Sequence, residues 1–161
     1  MRVLLKLTLD CEPDDAWRAI RSPAVLQRVS APLMTFASLG PIGFPELWEE
    51  GEHAVQISGG VLPLGEQVIA ISFPPARGDA RIMRDSGYGV RGVFTLVERW
   101  EHTMAVSSAE GGGTLYRDQL SFDAGPLTPV LWPMYWSFWQ WRGFRLKRLA
   151  RYWAPGGSLS Q

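Results

Sequence analysis

The sequence is poor in the groups that usually announce chemistry. Its 161 residues include one cysteine, Cys11, and two histidines, His53 and His102. A single cysteine excludes an intramolecular disulfide and any multi-cysteine metal site. A reducing, cytoplasmic location is the expectation that follows. Residues 1–9 contain Lys6, precede Asp10 and lack a small-residue cleavage site, so they do not read as a signal peptide. Neither sign of charge is in excess, since 16 basic and 16 acidic side chains leave a formal net charge of zero. A general nucleic-acid binder carries a basic excess, so no nucleic-acid partner is expected. No apolar run reaches the roughly 20 residues that span a bilayer. The longest uncharged run, residues 124–141, is broken by Gly125, Pro126, Pro129, Pro133 and Gln140. Gly-x-Ser-x-Gly, Gly-x-x-x-x-Gly-Lys and Gly-x-Gly-x-x-Gly are all missing. The two histidines fall in different expected strands with no metal-ligand spacing, so neither metal nor cofactor is expected.

What the chain does have is tryptophan, eight residues of it. Each covers roughly 150–250 Å² when enclosed, enough to matter to a core or to a binding surface. The length suits one domain, residues 1–161, with a flexible tail expected over 154–161.

The hydrophobic pattern is that of an α+β chain. Val3, Leu5, Leu7 and Leu9 alternate with Lys6, Thr8 and Asp10 and predict a first strand. Pro13 followed by Asp14 and Asp15 predicts a helix start, because proline tolerates the first helical position and acids oppose the positive helix end. That helix runs to Arg21, and a second short one covers about 24–29. Antiparallel strands are then expected over 33–38, 52–62, 66–73, 81–86, 93–107 and 114–123, with Gly111-Gly112-Gly113 turning the last pair. A long helix follows, with Thr128 as N-cap, running to Tyr152 or Trp153 before Ala154-Pro155-Gly156-Gly157.

Three pieces of sequence give this order a likeness. Cys11-Glu12-Pro13-Asp14-Asp15-Ala16-Trp17 resembles the opening of the first helix in the SRPBCC superfamily. Trp100-Glu101-His102 and Gly113-Thr114-Leu115-Tyr116-Arg117-Asp118 resemble the paired strands of its polyketide cyclase/dehydrase-like branch. The likeness covers nearly the whole chain. It implies the helix-grip fold, shared with the START-related lipid-transfer domains and the birch-pollen-allergen family: a curved antiparallel sheet wrapped around a long C-terminal helix, with two short helices after the first strand. It also implies a carrier or binder of hydrophobic molecules, or less commonly an enzyme.

The residues themselves mark a candidate site. If the glycine turn pairs residues whose numbers sum to about 222, Met104 faces Asp118 and His102 faces Leu120. Glu98, Trp100, His102 and Met104 then share a face with Tyr116, Asp118, Leu120 and Phe122, and His102 and Asp118 become diagonal neighbours. A face of large apolar groups with one imidazole and two carboxylates suits a cavity wall. His102 with Asp118 or Glu98 is the candidate acid–base pair of a cyclase-, dehydratase- or isomerase-type enzyme, and a structural hydrogen bond is the plainer reading.

On the last helix, Trp132, Trp136, Trp139, Gly143, Leu146, Ala150 and Trp153 form one stripe at 100° per residue. Arg142 falls inside the apolar arc. It is expected to pair with Glu98 or Asp118, to await the acidic head of an apolar ligand, or to reach water along its own stem. The expected ligand contacts are therefore Glu98, Trp100, His102, Tyr116, Asp118, Trp136, Trp139 and Arg142, around a hydrophobic small molecule or lipid. The opposite face mixes Trp141 and Phe144 with Lys147, Arg148 and Arg151, which suits an anionic membrane surface, a homodimer contact or plain solvent. The zero net charge also conceals a division: residues 1–123 carry a net −5 and residues 124–161 a net +5.

Overall fold

The computed structural model describes residues 1–76 and 78–153, so the expected tail over 154–161 lies outside the described residues. The elements run β1 (Arg2–Leu9), α1 (Pro13–Ile20), α2 (Pro23–Ser30), β2 (Thr35–Ser38), β3 (Gly51–Gly59), β4 (Leu62–Ser72), β5 (Arg81–Asp85), β6 (Tyr88–Gly92), a 3₁₀ turn (Val93–Leu96), β7 (Arg99–Ser108), β8 (Thr114–Asp123) and α3 (Thr128–Ala150). All eight strands belong to one antiparallel sheet of order β1-β8-β7-β5-β4-β3-β2, with β6 pairing to β4. The helix α3 crosses the inner face of this sheet.

Local chemistry explains most element ends. Pro13 opens α1 with Asp14 and Asp15 in its first turn. Ser22 caps α2, its hydroxyl accepting from the Val25 N–H at 3.4 Å. Both clusters of buried side chains lie against the inner sheet face. One joins Leu9, Val55, Ile57, Ile71, Met83 and Val106 to α1, α2 and the end of α3. The other joins Val3, Leu120 and Phe122 to Tyr135 and Trp139. The Leu5 side chain packs beneath Gly143, where a Cβ would lie 2.7 Å from the leucine Cδ2. A glycine at that position lets α3 settle directly onto β1. Among the described residues no helix is long and apolar enough to cross a membrane.

Three expectations need correction. The strand expected over 93–107 begins only at Arg99, because residues 93–96 make a 3₁₀ turn, and a short strand outside the expected set, β6, precedes that turn and ends at Gly92. Gly92 has φ 74°, and a Cβ on it would sit 2.1 Å from the Leu64 carbonyl oxygen, so only glycine turns the chain out of the sheet there. The strand expected over 52–62 ends at Gly59: the turn is Gly60-Val61, and Leu62, paired with Gly59, already belongs to β4. The N-cap of α3 is Leu127 and not Thr128. The Thr128 hydroxyl is engaged with the preceding turn, accepting from Ala124 N–H at 2.8 Å and donating to Asp123 Oδ1 at 3.2 Å.

Candidate functional site

The hairpin of β7 and β8 carries the site. Its register pairs Met104 with Asp118 and His102 with Leu120. This places His102 and Asp118 diagonally across two adjacent strands on the inner face, within reach of one hydrogen bond. His102 Nε2 lies 2.7 Å from Asp118 Oδ1, and both side chains are buried. The Trp139 indole N–H donates to the same oxygen at 2.8 Å, and the Tyr116 hydroxyl donates to Oδ2 at 2.7 Å. Burial works against the charge of Asp118, but the His102 imidazole, the Arg142 guanidinium and the Tyr116 hydroxyl more than offset it and bring the carboxyl down to about 2. An ionised Asp118 accepts and cannot donate, so the proton between the pair belongs to His102 Nε2. The same carboxylate pushes the buried Tyr116 phenol, already raised by desolvation, well above its ordinary range.

A second carboxylate, Asp85, stands on the other side of His102. β5 pairs with β7 so that Asp85 lies directly opposite His102. Asp85 Oδ1 accepts from the backbone N–H groups of Ala70 and Gly87, each at 2.9 Å, and Oδ2 accepts from the Trp100 indole at 3.1 Å. Burial raises its carboxyl above the usual range, against the pull of His102 and of these donors. Gly87 is required for this cradle, because a Cβ there would lie 1.9 Å from the Val68 carbonyl oxygen and 2.9 Å from Asp85 Oδ1.

Arg142 reaches in from α3. Its guanidinium carbon sits 4.9 Å from the Trp139 ring centroid and 5.8 Å from that of Phe138, and its Nε is buried with no hydrogen-bond partner. It makes no ion pair among the described residues, so neither Glu98 nor Asp118 neutralises it by direct contact.

These groups line a cavity of about 110 Å³ between the sheet, α2 and α3. Its polar lining includes Gln67, Asp85, His102, Tyr116, Asp118 and Arg142; Met34, Phe36, Ile69, Met83 and Phe94 are among the apolar residues. The aromatic wall is a chain of edge contacts: Trp100 to Tyr135 at 5.6 Å, Trp100 to Trp139 at 6.0 Å and His102 to Trp139 at 5.1 Å between centroids.

Six of the eight expected contacts, Trp100, His102, Tyr116, Asp118, Trp139 and Arg142, line this cavity, and two do not. Glu98 is exposed, because it precedes the first residue of β7 and the chain there is still leaving the 3₁₀ turn. Trp136 is 45% exposed and stacks on Trp132. It lies about 60° round the helix from the buried line through Trp139, which is enough to turn it outward. Asp85 and Gln67 are site residues that the expected set lacks. An acid at a strand end just before Ser86-Gly87 was the available signal for Asp85, but only the β5–β7 pairing brings it to His102. His53 is not among the lining residues; its ring lies tilted against Trp48, with centroids 4.9 Å apart, and its Nε2 is 3.0 Å from the Glu49 carbonyl oxygen.

No protein-family model and no curated protein matches this sequence. Solved structures do. Protein CV1439 from Chromobacterium violaceum is 12% identical with a TM-score of 0.60, over 93% of this chain and 97% of that one. Ara h 8.0201 is 10% identical with a TM-score of 0.64, over 93% and 97%. Truncated norcoclaurine synthase from Thalictrum flavum is 12% identical with a TM-score of 0.63, over 92% of both chains. The chain has the helix-grip fold, as its element order and its resemblance predicted.

Proposed function

We propose that this protein binds a small apolar molecule carrying one anionic group, enclosed between the sheet and α3 in a single domain. The observation that carries the reading is Arg142, whose Nε is buried without a hydrogen-bond partner in the wall of a cavity that apolar side chains line for the most part. A buried donor without an acceptor is costly, and a ligand carboxylate would take Nε and a terminal nitrogen of the half-buried guanidinium together. The volume sets the scale. A cavity of about 150 Å³ accommodates benzene, whereas drug-sized ligands occupy roughly 300–1,000 Å³. At about 110 Å³ the interior suits a single ring or a short acyl chain, and a long-chain lipid would have to displace the lining.

Binding is favoured over catalysis by the hydrogen bond at the centre of the site. Nε2 of His102 is engaged by Asp118, and Asp118 holds two further donors, Tyr116 and Trp139. The test is a titration followed by tryptophan fluorescence, with benzoate and its neutral analogue benzyl alcohol. Arg142→Met should weaken benzoate by at least about tenfold and leave benzyl alcohol unchanged. Equal loss of both, or of neither, removes the reading.

A second reading concerns the outward face of α3. Val130 is 70% and Phe144 56% exposed, with Met134 and Trp136 also exposed, and Lys147 and Arg148 follow in the last turns. Large apolar side chains beside basic ones on a solvent face support contact with an anionic membrane surface, from which an apolar acid could be collected. Flotation with vesicles of phosphatidylcholine alone and with phosphatidylglycerol tests it. Binding only to the anionic vesicles, lost on Phe144→Asp, is expected. Concentration-dependent dimerisation abolished by the same substitution would assign the face to a second copy.

A further inference from the structure

The outer face of the sheet, opposite the cavity, gathers three cations that form no ion pair among the described residues. Lys6 on β1 stands directly opposite Arg117 on β8. Arg117 is opposite Ala105 on β7, and one row along the sheet Arg84 on β5 is opposite Thr103. Like charges directly opposite each other destabilise a sheet, so such a pair calls for a counter-charge. None is in contact: Lys6, Arg84 and Arg117 make no ion pair among the described residues. Arg84 Nε is moreover buried without a hydrogen-bond partner. Three of the eleven cations of residues 1–123 thus meet here, in the part of the chain whose net charge is −5.

The surface is also concave. Pro74 and Pro75 wall one side of a hollow of about 710 Å³ that holds all three cations, with Leu4, Ile82 and Ala105 contributing apolar surface between them. That volume lies in the range of small-molecule sites, roughly 300–1,000 Å³. Glu101 is the one acidic side chain exposed there, which leaves a local excess of two positive charges.

We propose that this hollow is a second binding site, for a small organic dianion: a phosphate monoester or a dicarboxylate whose carbon skeleton lies on Leu4, Ile82 and Ala105. Two arginines offer planar forks to oxygen pairs, and Lys6 adds a point charge. The hollow and the cavity lie on opposite faces of the sheet and share only Leu5 and Asp118 in their linings.

The experiment is a titration of the intact protein with phenyl phosphate, and in a parallel arm with succinate, followed by amide chemical shifts. Saturable shifts at Thr103, Ala105 and Gln119 are expected with at least one probe, and the probe that gives them assigns the class of dianion. Arg84→Ala and Arg117→Ala should each weaken binding about fivefold or more, while Glu101→Gln strengthens it by removing the competing charge. That gain cannot arise from misfolding. Arg142→Met should leave the affinity unchanged. No saturable shift with either probe, or binding lost in Arg142→Met and retained in Arg84→Ala and Arg117→Ala, would overturn the proposal.

Discussion

The Trp139 indole donates to Asp118 Oδ1 at 2.8 Å, so one buried carboxylate ties the C-terminal helix to the hairpin of the sheet. The same oxygen takes the His102 bond, and the helix, β7 and β8 therefore share one polar joint inside an apolar interior. Asparagine keeps one acceptor oxygen but sets an NH2 against the donors of the other and removes the charge facing His102 and Arg142, and an uncompensated buried group costs more than an exposed one. Asp118→Asn is expected to destabilise the protein by about 3–5 kcal/mol, read from urea unfolding. Trp139→Phe removes one donor and should cost about 1–3 kcal/mol. A cost near zero for Asp118→Asn would mean that the joint holds nothing.

The two buried carboxylates pull stability in opposite directions with pH. The folded state draws Asp118 down to about 2, so its contribution is full above the unfolded value of about 3.9 and is lost as pH falls toward 2. Asp85 is raised by burial, so the folded state holds its proton more tightly than the unfolded chain does. Its contribution therefore declines as pH rises from about 3.9 through the folded value. Urea midpoints measured from pH 2 to 7 should show Asp118→Asn flattening the acid limb and Asp85→Asn flattening any decline above pH 4. The reverse assignment would contradict the geometry.

Two glycines that look alike in sequence should respond differently. At Gly87 a Cβ would meet a backbone carbonyl oxygen at 1.9 Å, which cannot give way. Gly87→Ala is expected to cost about 2–4 kcal/mol and to disturb Asp85. At Gly143 the obstacle is the far end of the Leu5 side chain, at 2.7 Å from Cδ2, which can rotate. Alanine there also gains roughly 0.5–1 kcal/mol of helix stability, so Gly143→Ala should change stability by less than about 1 kcal/mol. Thermal unfolding of both variants compares them directly.

Because Gly143 lines the cavity, a larger side chain acts on binding and not only on packing. Gly143→Leu should fill the space and abolish binding of both benzoate and benzyl alcohol, unlike Arg142→Met, which discriminates between them. Retained benzoate binding in a folded Gly143→Leu protein would place the ligand elsewhere.

Much of this arrangement is legible in the sequence itself. Alternation in the β7–β8 hairpin and its glycine turn set the face shared by Trp100, His102, Tyr116 and Asp118, because strand periodicity is local. The helical stripe through Trp139, Gly143, Leu146 and Ala150 was equally plain, because 100° per residue is intrinsic to the helix. Glu98 was misplaced because the exit from the sheet at Gly92 depends on Leu64, a residue distant in the chain. Trp136 was misplaced because the width of a buried arc depends on what covers it.

The sequence alone determined the order of elements apart from β6 and the 3₁₀ turn, the faces of the β7–β8 hairpin and of the last helix, and the concentration of basic charge after Asp123. These follow from periodicity and from counting. Tertiary structure decided that Asp85 joins His102, that Arg142 Nε is buried without a hydrogen-bond partner among the described residues, and that the interior narrows to about 110 Å³. Each depends on which non-adjacent strands pair and on how closely α3 approaches the sheet, and neither distance is written in local pattern.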